Sequence, residues 1–271
     1  TQSRSSAASD VYKRQEYMNV FEIYFSPTGG TKKVADLISR QFDYERIELD
    51  LLNAIEDFSK FTFSEKDLCI IAVPSFGGRV PTIAMSNIKK LNGNGSKVIL
   101  VATYGNRAYE DVLLELKDTL TTLGFVCIAA IAAVTEHSIM HQFATGRPDL
   151  QDKEELIKFS DEIKEVLKQA KDTKDLYVPG NNPYKEYNVI PLVPEVSEEC
   201  EKCGLCAIKC PVNAISKENP TLVEKEKCIS CMRCVAICPN KSRSVNKELL
   251  LATSKKLEKA CSKRKMNEIF L

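Results

Sequence analysis

A run of cysteines near the C-terminus constrains this chain more than any other feature. Residues 200–239 hold eight of its 11 cysteines, arranged as two copies of Cys-x2-Cys-x2-Cys-x3-Cys-Pro. Two residues between ligands allow a tight loop to present three thiolates from one side, and this spacing is typical of two [4Fe–4S] clusters. The proline after each fourth cysteine fixes φ and favours a turn at that point.

The fourth cysteine of each run is expected to bind the cluster of the other run, because the chain turns away after three residues. Cluster one is therefore assigned to Cys200, Cys203, Cys206 and Cys238. Cluster two is assigned to Cys228, Cys231, Cys234 and Cys210. Paired zinc sites and a disulfide framework are the alternatives, but zinc sites usually place two Cys-x2-Cys pairs at a distance. The segment resembles a two-cluster ferredoxin at all eight ligand positions.

Net charge and the distribution of apolar residues argue against several classes of protein. A net charge of +1 argues against a general nucleic-acid binder. The longest apolar run, residues 125–134, is shorter than the roughly 20 residues that a membrane span needs. Residues 1–17 lack the apolar segment of a secretory signal and are expected to be non-native or disordered, with Met18 as the natural start. Cysteines grouped as metal ligands fit a reducing cytoplasm better than an export route.

Strands and helices alternate five times between residues 18 and 172. Apolar or β-branched segments at 20–25, 46–51, 68–73, 97–102 and 125–134 predict strands, and apolar residues at helical spacing follow most of them. The alternation predicts an α/β fold, a five-stranded doubly wound parallel sheet with helices on both faces. Ligands of such sheets bind beyond the carboxyl ends of the strands. Glycine-bearing loops follow the first, third and fourth strands there.

The first of these loops reads Ser-Pro-Thr-Gly-Gly-Thr and lies before a helix. A helix N-terminus offers unpaired N–H groups and partial positive charge, which suit a phosphate. The loop is not G-x-G-x-x-G, so a dinucleotide site is disfavoured. It resembles the flavodoxin phosphate loop S/T-x-T-G-x-T, which binds the phosphate of FMN; an ordinary capped turn is the alternative. The resemblance implies phosphate contacts from Ser26, Thr28, Gly29, Gly30 and Thr31.

The same resemblance assigns the other two loops to the flavin ring. In flavodoxins they flank the isoalloxazine, so Phe76 and Tyr104 would stack on it or meet its edge. Contacts to its polar rim would come from the loop residues Gly77, Gly78, Thr103, Gly105 and Asn106. The alternative is ordinary turn glycines beside exposed aromatic side chains.

Five further residues have open assignments. Arg107 would pair with a phosphate, a substrate anion or surface acids. His137 and His141 are either a polar lid near the flavin or ordinary surface histidines. Arg233 lies between two ligands of cluster two and would raise the potential of that cluster if its charge points inward. Cys261 stands among lysines and is expected to be exposed.

Domain boundaries follow from composition. Proline-rich residues 173–195 predict an extended linker on the surface. The linker separates a flavodoxin-like FMN-binding domain at 18–172 from a smaller α+β two-cluster ferredoxin domain at 196–246. Residues 247–271 carry seven Lys or Arg against three Glu. They predict a basic helical tail that docks on the body or on an acidic partner.

Residues 18–271 as a whole resemble the flavodoxin–ferredoxin fusions sometimes called ferrodoxins. The resemblance implies a cytoplasmic electron-transfer protein that passes electrons between two [4Fe–4S] clusters and a bound FMN, with redox proteins as its partners. The alternative is a flavin-dependent reductase of a quinone or another small acceptor, with the clusters as internal wiring. A cluster-based sensor is disfavoured, because no DNA-binding helix pair is recognisable.

Overall fold

The computed structural model describes residues 19–53, 56–168, 176–188 and 192–271. The expectation for residues 1–17 lies outside the described residues, as do residues 173–175 and 189–191 of the predicted linker. Within the described ranges, no helix has both the length and the apolar character to cross a membrane.

Five parallel strands form the centre of the first domain, which confirms the predicted fold class. They are β1 (Asn19–Tyr24), β2 (Glu45–Asp50), β3 (Leu68–Pro74), β4 (Lys97–Tyr104) and β5 (Val126–Val134). Their order across the sheet is β2-β1-β3-β4-β5, and each neighbouring pair is parallel. This 2-1-3-4-5 order is that of the flavodoxin-like doubly wound sheet.

Helices cover both faces of this sheet. They are α1 (Gly30–Ser39), α2 (Thr82–Ile88), α3 (Val112–Thr122) and α4 (Leu150–Lys168). The apolar sides of α1 and α4 pack on one face, and those of α2 and α3 pack on the other. The central strands β3 and β4 are therefore buried on both sides, which explains their almost unbroken apolar sequences.

The clustered cysteines lie in a small second domain with an internal repeat. Its elements are β6 (Glu195–Val196), α5 (Leu205–Ile208), α6 (Arg233–Ala236) and β7 (Arg243–Ser244), with β6 antiparallel to β7. Residues whose numbers differ by 28 are equivalent, as Cys200 and Cys228 are. The backbone repeats as well, because Lys202 and Gly204 have positive φ and so do their equivalents Ser230 and Met232.

The C-terminal tail is helical only in part, which corrects the expectation for residues 247–271. Helix α7 (Lys247–Cys261) is followed by β8 (Glu268–Phe270), which joins the main sheet as a sixth strand antiparallel to β5. The Asn267 side chain fixes its start: Oδ1 accepts the Val134 N–H at 2.9 Å, and Nδ2 donates to Asp152 at 3.0 Å. A strand of three residues is too short to show a hydrophobic period in the sequence.

The second domain packs on the first through apolar side chains. Three buried residues of segment 139–143, which follows β5, form one cluster with Met232, Val245 and Cys261. Cys261 is therefore buried, and the expectation that it is exposed is wrong. The contact lies beside the carboxyl ends of the parallel strands, so it brings the cysteine runs to the edge where a ligand is expected.

The described part of the predicted linker also lies on the first domain. The Asp111 carboxylate, at the start of α3, accepts the backbone N–H of Asn181 at 2.8 Å and of Lys185 at 2.7 Å. Leu176 and Val178 are buried in the main core. Segment 176–188 is thus a strap held against the sheet domain.

Candidate metal centres and cofactor cavity

The loop after β1 is held in shape by its own side chains. Gly29 caps α1 with a φ of 89°, in the left-handed region that favours glycine. Ser26 Oγ accepts the Lys32 backbone N–H at 2.9 Å, and Thr31 Oγ1 lies 2.8 Å from Thr103 Oγ1. The loop is thereby fixed against the first turn of α1, whose remaining N–H groups have no acceptor within the helix.

Two adjoining cavities lie at the carboxyl ends of the parallel strands, and we call them together the edge cavity. The smaller part has a volume of about 60 Å³ and is lined by the first loop. The larger part has a volume of about 420 Å³, within the range of about 300–1,000 Å³ that is usual for cofactor sites. The residues that line both parts are Ser75, Phe76, Tyr104, Gly105, His137 and Ser138.

Eight of the twelve residues predicted to bind the flavin line the edge cavity. They are Thr28, Gly30, Thr31, Phe76, Gly77, Thr103, Tyr104 and Gly105. The other four, Ser26, Gly29, Gly78 and Asn106, do not line it. Ser26 and Gly29 shape the first loop instead. Gly78 allows close packing of two loops, since a Cβ there would lie 1.7 Å from Glu110 Oε2.

Asn106 holds the C-terminal tail. Its buried side chain donates to the carbonyls of Cys261 at 2.7 Å and Lys263 at 2.9 Å, and accepts the Lys265 N–H at 3.0 Å. All of these partners lie far along the chain, so no local pattern could have revealed this role. The amide therefore serves the tail, and it faces away from the rim contact expected of it.

The contacts of His137 define both its tautomer and its protonation state. Its Nδ1 accepts the backbone N–H groups of Ile139 and Met140, each at 3.2 Å. The neutral ring must therefore carry its proton on Nε2. Burial lowers the pKa of His137 to about 4, and the charges of His141 and Arg107 act in the same direction. The ring is thus a neutral N–H donor at neutral pH.

Gly105 makes room for this histidine. A Cβ on Gly105 would lie 2.7 Å from the Cα, Cβ and Cδ2 atoms of His137, closer than real Cβ contacts. Of the other two charged candidates, His141 is exposed and pairs with Glu136 at 2.7 Å, whereas Arg107 lines the larger part of the cavity and pairs with Glu110 at 2.8 Å. Only His137 of the two histidines lines the cavity.

The protein should lose stability in mild acid because of His137. Its pKa is about 4 in the folded chain and about 6.5 when unfolded, so the unfolded chain takes up a proton first as the pH falls. The contribution of His137 is fully present above pH 6.5 and is lost as the pH falls towards 4. Between pH 7 and pH 5 this loss amounts to about 2 kcal/mol.

The check is urea unfolding at several pH values in this window. His137→Asn, whose side-chain oxygen can still accept the two N–H groups, should show a flatter dependence of the unfolding free energy on pH. An equal dependence in the variant and the unaltered chain would contradict the assignment.

Cys210 lies with the second cysteine run, as an exchange of fourth ligands requires. It lines a cavity of about 20 Å³ together with Cys228, Cys231 and Cys234. We call this space the cysteine cavity. The four sulfurs are those assigned to cluster two from the spacing.

The two fourth cysteines have matching surroundings. The Ala214 N–H donates to Cys210 Sγ at 3.3 Å, and the Ser242 N–H donates to Cys238 Sγ at 3.3 Å. Each donor lies four residues beyond its cysteine, so the repeat extends to hydrogen bonds on sulfur. Hydrogen bonds to ligating sulfurs are among the features that set the potential of a cluster.

The spacing of the sulfurs fits a cluster better than zinc or disulfides. None of the 11 cysteines forms a disulfide. Among the described residues, three metal-ligating atoms lie within 4.8 Å of one another only at Glu22, Asp36 and Glu48, where the Lys32 ammonium pairs with each carboxylate. The cysteine sulfurs are therefore spread more widely than around one zinc, where a Zn–S bond of about 2.3 Å puts the sulfurs about 3.8 Å apart.

Two guanidinium groups line the cysteine cavity with buried N–H groups that have no acceptor. They are Arg233, through Nε, and Arg243, through Nη1. Arg243 is 3% exposed, and its Nη2 donates to the Pro220 carbonyl. Burial raises the pKa of the Cys234 thiol to about 12, and the charge of Arg243 opposes this. An anion in the cavity would satisfy both guanidinium groups, and a cluster bound by four thiolates is such an anion.

The cysteine cavity borders the edge cavity. Cys231 lines the smaller part of the edge cavity, and its neighbours Ile229 and Ser230 line the larger part. Helix α7 adds Thr253 and Leu257 to the same wall. The second domain thus forms one side of the space that the loops of the first domain open.

Comparison with known families decides the nature of the second domain. Residues 193–239 match the family of the 4Fe-4S dicluster domain. The second domain is a 4Fe-4S dicluster domain. With the 2-1-3-4-5 sheet before it, the chain is a fusion of a flavodoxin-like fold and a dicluster ferredoxin domain. No curated protein matches the chain.

Solved structures similar to this chain cover its sheet domain. The Streptococcus pneumonia TIGR4 flavodoxin is 17% identical over 54% of this chain and 98% of that chain, with a TM-score of 0.40. Oxidised flavodoxin 1 from Bacillus cereus is 15% identical over 54% and 97%, with a TM-score of 0.39. Rubredoxin oxygen:oxidoreductase from Desulfovibrio gigas is 14% identical over 58% and 38%, with a TM-score of 0.41. These scores lie below 0.5, and it is the strand order that identifies the fold.

Proposed function

We propose that this chain is an electron-transfer protein in which two [4Fe–4S] clusters exchange electrons with an FMN held in the edge cavity. The observation that carries the proposal is the wall common to the two sites. Cys231, a ligand proposed for cluster two, lines the same space as the phosphate-type loop after β1. A cysteine proposed as a cluster ligand therefore lies against the cavity proposed for the flavin.

The residues around the edge cavity suit FMN. Thr28, Gly30 and Thr31 would hold the phosphate in the smaller part, where the first turn of α1 presents unpaired N–H groups. Phe76 would contact the ring in the larger part, and the Nε2–H of His137 would donate to its polar rim. FMN accepts one or two electrons and each cluster carries one, so the pair of cofactors joins one- and two-electron chemistry.

The dicluster domain would hold its clusters by exchanged ligands. Cluster one takes Cys200, Cys203, Cys206 and Cys238, and cluster two takes Cys228, Cys231, Cys234 and Cys210. Eight thiols that must remain reduced until iron binds favour a cytoplasmic location.

Protein partners are favoured over a small acceptor. A reductase needs polar groups free to position its substrate over the flavin. Three residues are candidates for that task, but Arg107, which lines the edge cavity, is paired with Glu110. His141 is paired with Glu136, and His137 is assigned to the flavin. We therefore propose separate redox proteins as donor and acceptor, and we keep the flavin-dependent reductase as the alternative that turnover of a quinone would support.

Anaerobic loading tests the proposal. The protein purified without oxygen should contain about eight irons, eight sulfides and one FMN per chain. Gly105→Ala should lower FMN affinity by about 5- to 150-fold, because the added methyl group forces His137 out of place and overpacking typically costs about 1–3 kcal/mol. Fluorescence titration of FMN measures the affinity.

Iron content serves as the internal control for Gly105→Ala and should stay at about eight per chain. A protein that carries eight irons yet takes up no FMN would refute the flavin half of the proposal. A protein that binds FMN but holds zinc in place of iron would refute the cluster half.

A further inference from the structure

At two pairs of equivalent positions in the repeat, the second copy has an arginine that lines the cysteine cavity where the first copy has an apolar residue. Arg233, in the second run, corresponds to Leu205 in the first, and Arg243 corresponds to Ile215. Arg233 and Arg243 both line the cysteine cavity of cluster two, each with a buried N–H group that has no acceptor. Leu205 and Ile215 are uncharged, so the repeat is asymmetric in charge at these two pairs, and Ile215 itself lines the cysteine cavity beside Arg243.

No other feature of the described residues cancels these charges. No carboxylate of the described chain forms an ion pair with Arg233 or Arg243. Both cysteine runs are flanked by exposed lysines, whose charges water and salt screen. The N–H···S bonds to Cys210 and Cys238 have equal lengths, so they act equally on the two clusters.

Solvent exposure favours reduction of cluster one, which is the opposite effect, but the exposure of the two clusters differs at one sulfur only. Cys203 is exposed, so water can stabilise added negative charge on cluster one at that sulfur. The guanidinium groups at cluster two are full charges, and Arg243 is nearly free of water. A charge in a poorly solvated site acts more strongly than one in water. The arginines therefore outweigh the single exposed thiolate.

We propose that Arg243 and Arg233 hold the midpoint potential of cluster two above that of cluster one, so that an electron shared by the two clusters rests beside the edge cavity. One electron leaves reduced cluster one, which is oxidised, and enters oxidised cluster two, which is reduced. No proton or further reactant takes part in this step. The inference rests on the proposed function, because it requires both clusters. It adds a direction, from the exposed Cys203 side towards the flavin site.

The experiment isolates each cluster in the full-length chain. Cys238→Ala should retain only cluster two, and Cys210→Ala only cluster one. Redox titrations followed by electron paramagnetic resonance then give each midpoint potential. We expect the equilibrium constant for transfer of one electron from cluster one to cluster two to be at least tenfold in favour of cluster two. This corresponds to a midpoint potential that is higher by about 59 mV for a one-electron couple.

Charge variants then assign the difference to the arginines. Arg243→Gln, made in the Cys238→Ala background, should lower the potential of cluster two. Leu205→Arg, made in the Cys210→Ala background, should raise the potential of cluster one, because it places a guanidinium at the position equivalent to Arg233. Arg233→Gln is the second variant for cluster two and decides the matter if Arg243→Gln fails to bind iron.

Equal potentials of the isolated clusters would overturn the inference, and so would an Arg233→Gln or Arg243→Gln chain with an unchanged cluster two. Failure of the proposed function has a separate signature. In that case the unaltered chain would lack eight irons or would show no cluster signal at all.

Discussion

Cys210→Ala is expected to remove the cluster of the second cysteine run, although Cys210 belongs to the first run. Cys210 lines the cysteine cavity with Cys228, Cys231 and Cys234, and a cluster with three protein thiolates is bound less firmly than one with four. The iron content should fall from about eight to about four per chain. If the proposed function holds, FMN bound to this variant should no longer be reduced rapidly by an external one-electron donor, because the cluster proposed beside the edge cavity is gone.

Cys127→Ala is the matched control for this loss. Cys127 is a buried cysteine of β5, outside both runs, and its replacement should leave the iron content and the rate of flavin reduction unchanged. Iron analysis and stopped-flow absorbance of the flavin measure the two quantities. If Cys210→Ala kept eight irons, the exchange of fourth ligands between the runs would be wrong.

Arg147→Ala is expected to cause a large loss of stability in the sheet domain. The side chains of Arg147 and Asp152 are 4% and 0% exposed, and Arg147 Nε donates to Asp152 Oδ2 at 2.8 Å. Arg147 Nη1 also donates to the Lys265 carbonyl at 2.8 Å. Removal of the guanidinium leaves a buried carboxylate without its main partner, which typically costs about 3–5 kcal/mol. Arg264, 3.2 Å from Asp152, should keep the loss near the lower figure.

Denaturant unfolding measures this loss of stability. A control variant and a compensating double variant are compared with it. Lys168→Ala removes an exposed ion pair with Glu165 and should cost less than about 0.5 kcal/mol. The double replacement Arg147→Met with Asp152→Leu should recover part of the stability, because no charge is left buried but Asn267 loses an acceptor. A single Arg147→Ala variant as stable as the Lys168→Ala variant would show that the pair does not anchor the C-terminal segment.

The sequence was most informative where the signal is local. β1, β3 and β4 are continuous apolar or β-branched segments followed by glycine loops, so both the parallel sheet and the edge for a ligand could be inferred from short windows. The cysteine spacing fixed the second domain for the same reason, since a loop around a cluster uses neighbouring residues.

The missed features all depend on contacts between distant parts of the chain. β8 has only three residues and pairs with β5 through the fold, and Asn106 binds the tail rather than the cavity. The wall formed by Ile229 and Ser230 requires the two domains to be docked. The position of Arg243 at the cysteine cavity could not be predicted, because it lies five residues beyond the last cysteine of the run and only the fold brings it back there.

The pairing of β8 with β5 makes the dicluster domain an insertion into the first domain instead of an appendage to it. During synthesis the first five strands emerge before the dicluster domain, whereas β8 emerges only after it. Until then one side of β5 offers unpaired backbone groups, which invite association with other chains. A fragment that ends at the strap would lack β8 and would keep the unpaired edge of β5. The two domains should therefore be expressed and engineered as one unit.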